Sequence, residues 1–148
     1  MRISAKGRYG LRALFDLALN YGQGPILIKD IARRQIIPEA YLEQIFLSLK
    51  KAGLVKSLRG AYGGYLLARE PQGINIKEIM DILEGADPVV PCLENAQVCS
   101  LFKDCLLKDF WEELGQAQNS LMGRITLADL VRKKTLRRQE LAPPVYNI

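Results

Sequence analysis

Residues 26–67, ILIKDIARRQIIPEAYLEQIFLSLKKAGLVKSLRGAYGGYLL, decide the fold. They parse into two short helices, a turn between them, and a glycine-rich hairpin. Ile28 to Arg34 forms the first helix, with Ile28, Ile31 and Ala32 facing inward. Gln35-Ile36-Ile37 leads into Pro38. A proline disfavours helical geometry in the residue before it, so the chain turns there. In the second helix, Pro38 to Ala52, Leu42, Ile45, Phe46 and Leu49 fall at i, i+3, i+4 and i+7, one apolar stripe. Pro38 suits the first turn, where its missing N–H costs nothing, and Glu39 favours the positive end of the helix dipole. Gly53 is the natural residue to take the left-handed conformation that ends the helix.

Leu54 to Leu58 then alternates apolar and polar like a short strand. Arg59-Gly60-Ala61-Tyr62-Gly63-Gly64 is a turn-rich tip, and Tyr65-Leu66-Leu67 is the return strand. A helix pair followed directly by such a hairpin is the pattern of a winged helix-turn-helix, a device for placing one helix in a DNA groove. The outer face of the second helix carries Glu39, Ala40, Glu43, Gln44 and Lys51, polar types that reach base edges. Arg59, beside Gly60 at the hairpin tip, suits a minor groove or a phosphate.

Outward from that segment, Ser4 is the N-cap of a first helix running to about Tyr21 and closed by Gly22. Leu11, Leu14, Leu17, Ala18 and Tyr21 give it an apolar face. Arg2, Lys6, Arg8 and Arg12 make its beginning basic, which fits either a solvated cluster or a phosphate anchor. Downstream, Asn75 with Glu78 reads as a capping box and Ile74 with Ile79 as a hydrophobic staple, opening a helix that stops at Gly85. Pro91 to Asp104 shows little periodicity. From Cys105, Leu106, Phe110, Leu114, Ala117 and Leu121 recur at helical spacing; the helix either folds back on its own domain or, the favoured reading, is covered by a partner copy. Thr126 caps a last short helix with Asp129 at its third position.

The fold class is therefore mainly α with a small β-hairpin. The winged helix-turn-helix domain covers 1–85, with the helix-turn-helix at about 28–52 and the wing at 54–67. A cysteine-containing loop covers 86–104, a dimerisation helix 105–122, a short helix packing back on the DNA-binding domain 123–133, and a mobile tail 134–148.

The chain has 148 residues and a formal net charge of +5. That balance hides an asymmetry. Residues 1–67 carry 11 basic and 4 acidic side chains, residues 68–131 carry 5 and 11, and residues 132–148 carry 5 and 1. The positive charge thus lies on the winged-helix segment, as a phosphate-binding surface requires. No apolar run approaches the ~20 residues that span a bilayer. The start of the chain has no apolar signal core, so a cytoplasmic location and no membrane partner are expected. With no histidine, no phosphate loop and no nucleophile–base pair, an enzyme is not expected.

The three cysteines, Cys92, Cys99 and Cys105, form C-x6-C-x5-C. An odd number argues against a disulfide framework. Three thiols within fourteen residues suit one metal centre if the loop folds around it. Soft thiolates fit iron–sulfur clusters or zinc, although zinc more often uses close C-x2-C pairs, and unpaired redox thiols are a third reading. A closed four-coordinate site needs another ligand. Asp104, Asp109, Glu94, Glu112, a partner group or a small molecule could supply it. Asp109 shares a helix face with Cys105 if that turn is helical.

With both features in hand, the chain resembles the IscR-like iron–sulfur cluster-responsive transcriptional regulators of the Rrf-type winged-helix family. The matching stretches are Met1-Arg2-Ile3-Ser4-Ala5-Lys6-Gly7-Arg8-Tyr9, Tyr41-Leu42-Glu43-Gln44, Gly53-Leu54-Val55, Arg59-Gly60, Gly63-Gly64-Tyr65-Leu66-Leu67, the three cysteines and Ile125-Thr126-Leu127. The resemblance implies a homodimeric transcription regulator that senses a cluster, [2Fe-2S] favoured over [4Fe-4S], and controls cluster-assembly genes. It implies Tyr41, Glu43 and Gln44 in the major groove and Arg59 in the minor groove of double-stranded DNA. It gives Glu43 a part in operator choice, as an acidic side chain accepts from cytosine N4. A dimer places two recognition helices about 34–36 Å apart on a near-palindromic operator. Three departures stand out. Lys108 occupies the position of a histidine ligand in close relatives. Arg8 stands where some nitric-oxide sensors have an acidic ligand. The first cysteine gap is one residue longer than the commonest IscR spacing. Two alternatives remain: a cluster-free winged-helix repressor sensing thiols or a metabolite, and, of another class, a small iron–sulfur electron carrier.

Overall fold

A computed structural model describes residues 3–141. It contains six helices and one hairpin among these residues: α1 (Ala5–Leu19), α2 (Ile28–Gln35), α3 (Glu39–Lys51), β1 (Val55–Leu58), β2 (Gly64–Leu67), α4 (Ile76–Glu84), α5 (Lys108–Arg124) and α6 (Leu127–Glu140). Short 3-10 turns lie at Pro71–Gly73, Pro91–Leu93, Ala96–Val98 and Phe102–Asp104.

Ser4 caps α1 as expected, its hydroxyl accepting the Gly7 N–H at 3.1 Å while donating to the Glu84 carboxylate. The helix is shorter than the sequence suggests. It ends at Leu19, where the Asn20 side chain donates to the Asp16 carbonyl at 2.8 Å, and Tyr21 is left exposed. Ala13, Leu14, Leu17 and Ala18 line its buried face. A Cβ on Gly7 would meet the Glu84 carboxylate, and one on Gly10 would sit 2.4 Å from Leu83 Cδ1, so the two glycines let the ends of these α4 side chains lie directly against α1.

The two helices of the central segment turn through Ile36, which takes left-handed geometry at φ 54 and ψ 55. The Ile37 N–H bonds to the Ala32 carbonyl and the Ile36 N–H to that of Arg33. This is a Schellman ending with isoleucine where glycine is usual. At the far end of α3 the same motif recurs with its ordinary residue: Gly53 has φ +76, and Gly53 and Leu54 donate to Lys50 and Leu49. Between those ends Leu42, Ile45, Phe46 and Leu49 are all buried, as the spacing predicts.

The hairpin pairs Val55 with Leu67 and Leu58 with Gly64 in antiparallel register. Leu54 belongs to the helix ending and not to the strand. The hairpin is held to the body in two ways. Ile26 and Tyr65 exchange backbone hydrogen bonds of 2.8 Å, and the Tyr65 ring meets Phe46 edge-on at 4.6 Å.

Asn75 caps α4 by accepting from the Glu78 N–H at 2.9 Å, and Ile74 and Ile79 are both buried. The reciprocal half of that capping box is absent, because the Glu78 carboxylate pairs with Arg69. The full box forms instead at α6, where Thr126 and Asp129 cap one another. The start of α6 is stitched to that of α4: Ile76 donates to Ile125 at 2.8 Å and Leu127 to Ile74 at 2.9 Å.

Two boundaries differ from expectation. Helix α5 begins at Lys108 and not at 105, because Cys105 is extended at ψ 111; it then runs through Gly123 to Arg124. Helix α6 continues to Glu140, past the expected end at 133, so the predicted tail 134–148 is helical over its first part. Five cations and one anion after Val131 carry the helix without an apolar stripe, which is why the pattern did not show it. Residues 142–148 lie outside the described residues.

Two measurements check this account. Ile36 is 85% exposed, so replacing it removes little packing, while a β-branched residue is strained at positive φ. Ile36→Gly should raise stability by about 0.5–1 kcal/mol in denaturant melts; a lower midpoint at unchanged slope would contradict the strain. The Ser4 hydroxyl, followed by the backbone N–H groups of Ser4 and Gly7 and the charge of Lys6, holds the Glu84 carboxyl below the usual glutamate range. A depressed pKa means stability that is present at neutral pH and is lost as pH falls below about 4.3. Glu84→Gln should therefore flatten the acid limb of the stability–pH curve, and an unaltered limb would discount the cap.

Candidate nucleic-acid interface and thiol loop

Helix α3 is fixed on its inner side by the core and presents its outer side to solvent. Glu39, Ala40, Glu43, Gln44, Leu47 and Lys51 are all exposed along that side. Lys50 turns away from it, its Nζ hydrogen-bonding Ser57 Oγ at 2.6 Å in the wing. Tyr41 is half-buried, because its ring meets Tyr9 of α1 edge-on at 5.9 Å. Arg8 and Arg12 flank the same Tyr9 ring at 5.8 and 5.9 Å. Arg12 also donates to the Gln35 carbonyl at the end of α2. The basic end of α1 is thereby laid beside the N-terminal half of α3.

Asp16 holds α2 in place. It is the buried acid of the core at 2% exposure, and its two oxygens receive Arg34 Nη2 at 2.5 Å, Arg34 Nε at 3.1 Å and Gln35 Nε2 at 2.8 Å. The Asp16 bond raises the Arg34 pKa further above its ordinary value, against the lowering effect of desolvation. Sequence reasoning did not single out Asp16. Its signal is an acid amid the inward residues Leu14, Leu17 and Ala18, which only a buried partner makes tolerable.

The wing tip carries Arg59 and Gly60, both exposed, with the turn closed by the Gly63 N–H on the Gly60 carbonyl at 3.0 Å. Thus Arg8 and Tyr41 share one aromatic contact, Glu43, Gln44 and Lys51 share one helix face, and Arg59 and Gly60 stand apart on the wing. Lys6 is half-buried and acts on Glu84. Arg2 lies outside the described residues. Sequence reasoning also passed over Leu47, which the outer face includes.

Each cysteine sits at a tight turn. Cys92 lies within Pro91–Leu93, Cys99 ends Ala96–Val98, and Cys105 ends Phe102–Asp104. All three are half-buried and none is in a disulfide. Among the described residues no three Cys, Asp or Glu side chains converge on a common point. The donor set still fits an iron–sulfur cluster in kind, with three soft thiols free on short turns. Asp109 does not share a helix face with Cys105, since the helix starts between them. Lys108 pairs with Glu112 at 3.7 Å and lies 4.9 Å from the Phe102 ring centre.

Helix α5 has no buried residue over its 17 positions. It packs along α4 and the Pro91–Leu93 turn and leaves Leu107, Phe110 and Leu121 exposed. No helix among the described residues is long and apolar enough to cross a membrane.

The Rrf2 family model, described as an iron-dependent transcriptional regulator, matches residues 3–133. The chain is 41% identical over 130 residues to the HTH-type transcriptional regulator CymR of Bacillus subtilis, covering 88% of this chain and 89% of that one. The structure of CymR, the global cysteine regulator of B. subtilis, superposes with a TM-score of 0.77 at 40% identity, over 90% of this chain and 98% of that one. That of T. potens IscR gives 0.76 at 40% identity, over 97% and 94%.

Proposed function

Because the chain belongs to the Rrf2 family of DNA-binding transcriptional regulators, we propose that it is a homodimeric, operator-binding member whose DNA affinity or operator choice responds to an iron–sulfur cluster held by Cys92, Cys99 and Cys105. The observation that carries this reading is the placement of three free thiols on the loop that joins the winged helix to α5. On this reading Glu43, Gln44 and Lys51 face a major groove, Tyr41 and the α1 cations Lys6 and Arg8 serve its rim together with Arg2, which precedes them in sequence, and Arg59 with Gly60 enters the adjacent minor groove. The operator is double-stranded and near-palindromic, matching two copies joined along α5.

A bound cluster, [2Fe-2S] before [4Fe-4S], would supply a cross-link between three points of the loop that iron supply and oxidants can remove. The chain's own part is positional. Cys92 lies in the turn that packs against α5, and Cys105 lies three residues before α5 begins. Drawing these thiols together re-sets how α5 leaves the domain, and with it the spacing of two recognition helices in a dimer. Asp109, exposed in the first turn of α5, is the candidate to complete the ligand set. The targets of such a sensor are genes of cluster assembly.

A second reading has its own support. The thiols do not converge among the described residues, and a cysteine regulator is as similar to this chain as an IscR. On that reading the protein is a cluster-free repressor answering to thiols or a metabolite. Purification of the full chain without oxygen separates the two. The cluster reading expects a coloured protein with iron and sulfide in equal amounts, and a colourless but still dimeric Cys92→Ala variant. A colourless, iron-free wild-type protein would leave the cluster-free repressor.

A further inference from the structure

The outer face of α3 carries an apolar group that the reading above does not use. At 3.6 residues per turn, Ala40, Gln44, Leu47 and Lys51 fall at i, i+4, i+7 and i+11 and form one stripe. That stripe is centred opposite the buried Leu42, Ile45, Phe46 and Leu49. Leu47 is 66% exposed and sits on it two turns beyond Ala40. A leucine there gives nothing to the core.

We propose that Leu47, with Ala40 one repeat before it, reads the C5-methyl of a thymine in the major groove, and so adds an A·T preference to each half-site. This rests on the DNA-binding reading of α3. Three observations favour it. The apolar patch is a single leucine with one alanine, far below the area that docks a protein. Its neighbours on the face are Glu43, Gln44 and Lys51, which match base edges and phosphate and not an apolar partner surface. The unpartnered apolar stripe of the molecule lies elsewhere, on α5, which packs along α4. The thymine methyl is the one apolar group on the major-groove edge of a base pair, and an aliphatic side chain is its natural contact. Gln44, one turn earlier on the stripe, has the amide geometry for an adjacent adenine.

The test selects binding duplexes from a random pool with the full-length protein and with Leu47→Ala. Each thymine of the preferred wild-type site is then replaced singly by uracil, which removes only the methyl. At one thymine per half-site, uracil should weaken wild-type binding about four-fold, the weight of one methyl-sized group withdrawn from water. The same replacement should leave Leu47→Ala binding unchanged, and Leu47→Met should keep the wild-type response. An unaltered Tm and an unaltered salt slope for Leu47→Ala show that its fold and phosphate contacts persist. Equal uracil effects on wild type and Leu47→Ala, or identical base preferences in the two selections, overturn the inference and leave operator binding standing. A wild-type protein that selects no sequence removes the operator-binding reading, and the inference with it.

Discussion

Helix α1 lies against α4 with the Glu84 carboxylate and the Leu83 methyls set directly over Gly7 and Gly10, and on its other side its buried Asp16 grips Arg34 and Gln35 of α2. These two contacts fix the platform on which the rest is mounted. A carboxylate removed from water costs several kcal/mol unless its lone pairs are met, and here both oxygens are met, one by two donors. Arg34 keeps partial contact with water, which softens its own desolvation. The clamp therefore orients α2 more than it adds stability, and the Ile36 turn passes that orientation to α3.

The other face of the platform explains why charge and shape coincide. Tyr9 links α1 to Tyr41 of α3, and the two arginines beside Tyr9 are held against aromatic surface instead of ranging freely. A cation fixed in this way loses less freedom on meeting a phosphate. The wing is joined to the same body through Ile26 and through Phe46, so helix face and hairpin tip keep a set spacing. Beyond the wing the acidic middle of the chain, residues 68–131, is folded mainly into α4, the thiol loop and α5, and its Glu84 meets the start of α1 through Ser4 and Lys6.

The core of this arrangement was legible because it is local. The stripe Leu42, Ile45, Phe46, Leu49, the glycine at 53 and the Thr126 cap each depend on neighbours within a few residues, and each stands where the pattern puts it. What escaped depends on partners distant in sequence or on rules broken locally. Nothing near Glu78 shows that its carboxylate belongs to Arg69. An isoleucine at φ 54 runs against its own preference and is held by hydrogen bonds to Ala32 and Arg33. The far half of α6 is cationic and exposed, so it leaves no periodic trace, although Lys134 reaches the Phe15 ring of α1 at 5.7 Å. The spacing of Cys92, Cys99 and Cys105 gives the donor set but not its convergence, because three separate turns decide where each thiol points.

The central claim is that one face of this fold discriminates DNA sequences and that the thiol loop alters the discrimination. It is tested most directly by equilibrium binding of the full chain, isolated without oxygen, to its selected palindromic duplex and to a scrambled duplex, for wild type and Cys92→Ala. The account predicts a preference for the selected duplex of about 10³-fold or more at physiological salt, and a ratio that changes when Cys92 is removed. Equal affinity for both duplexes in both proteins would contradict it.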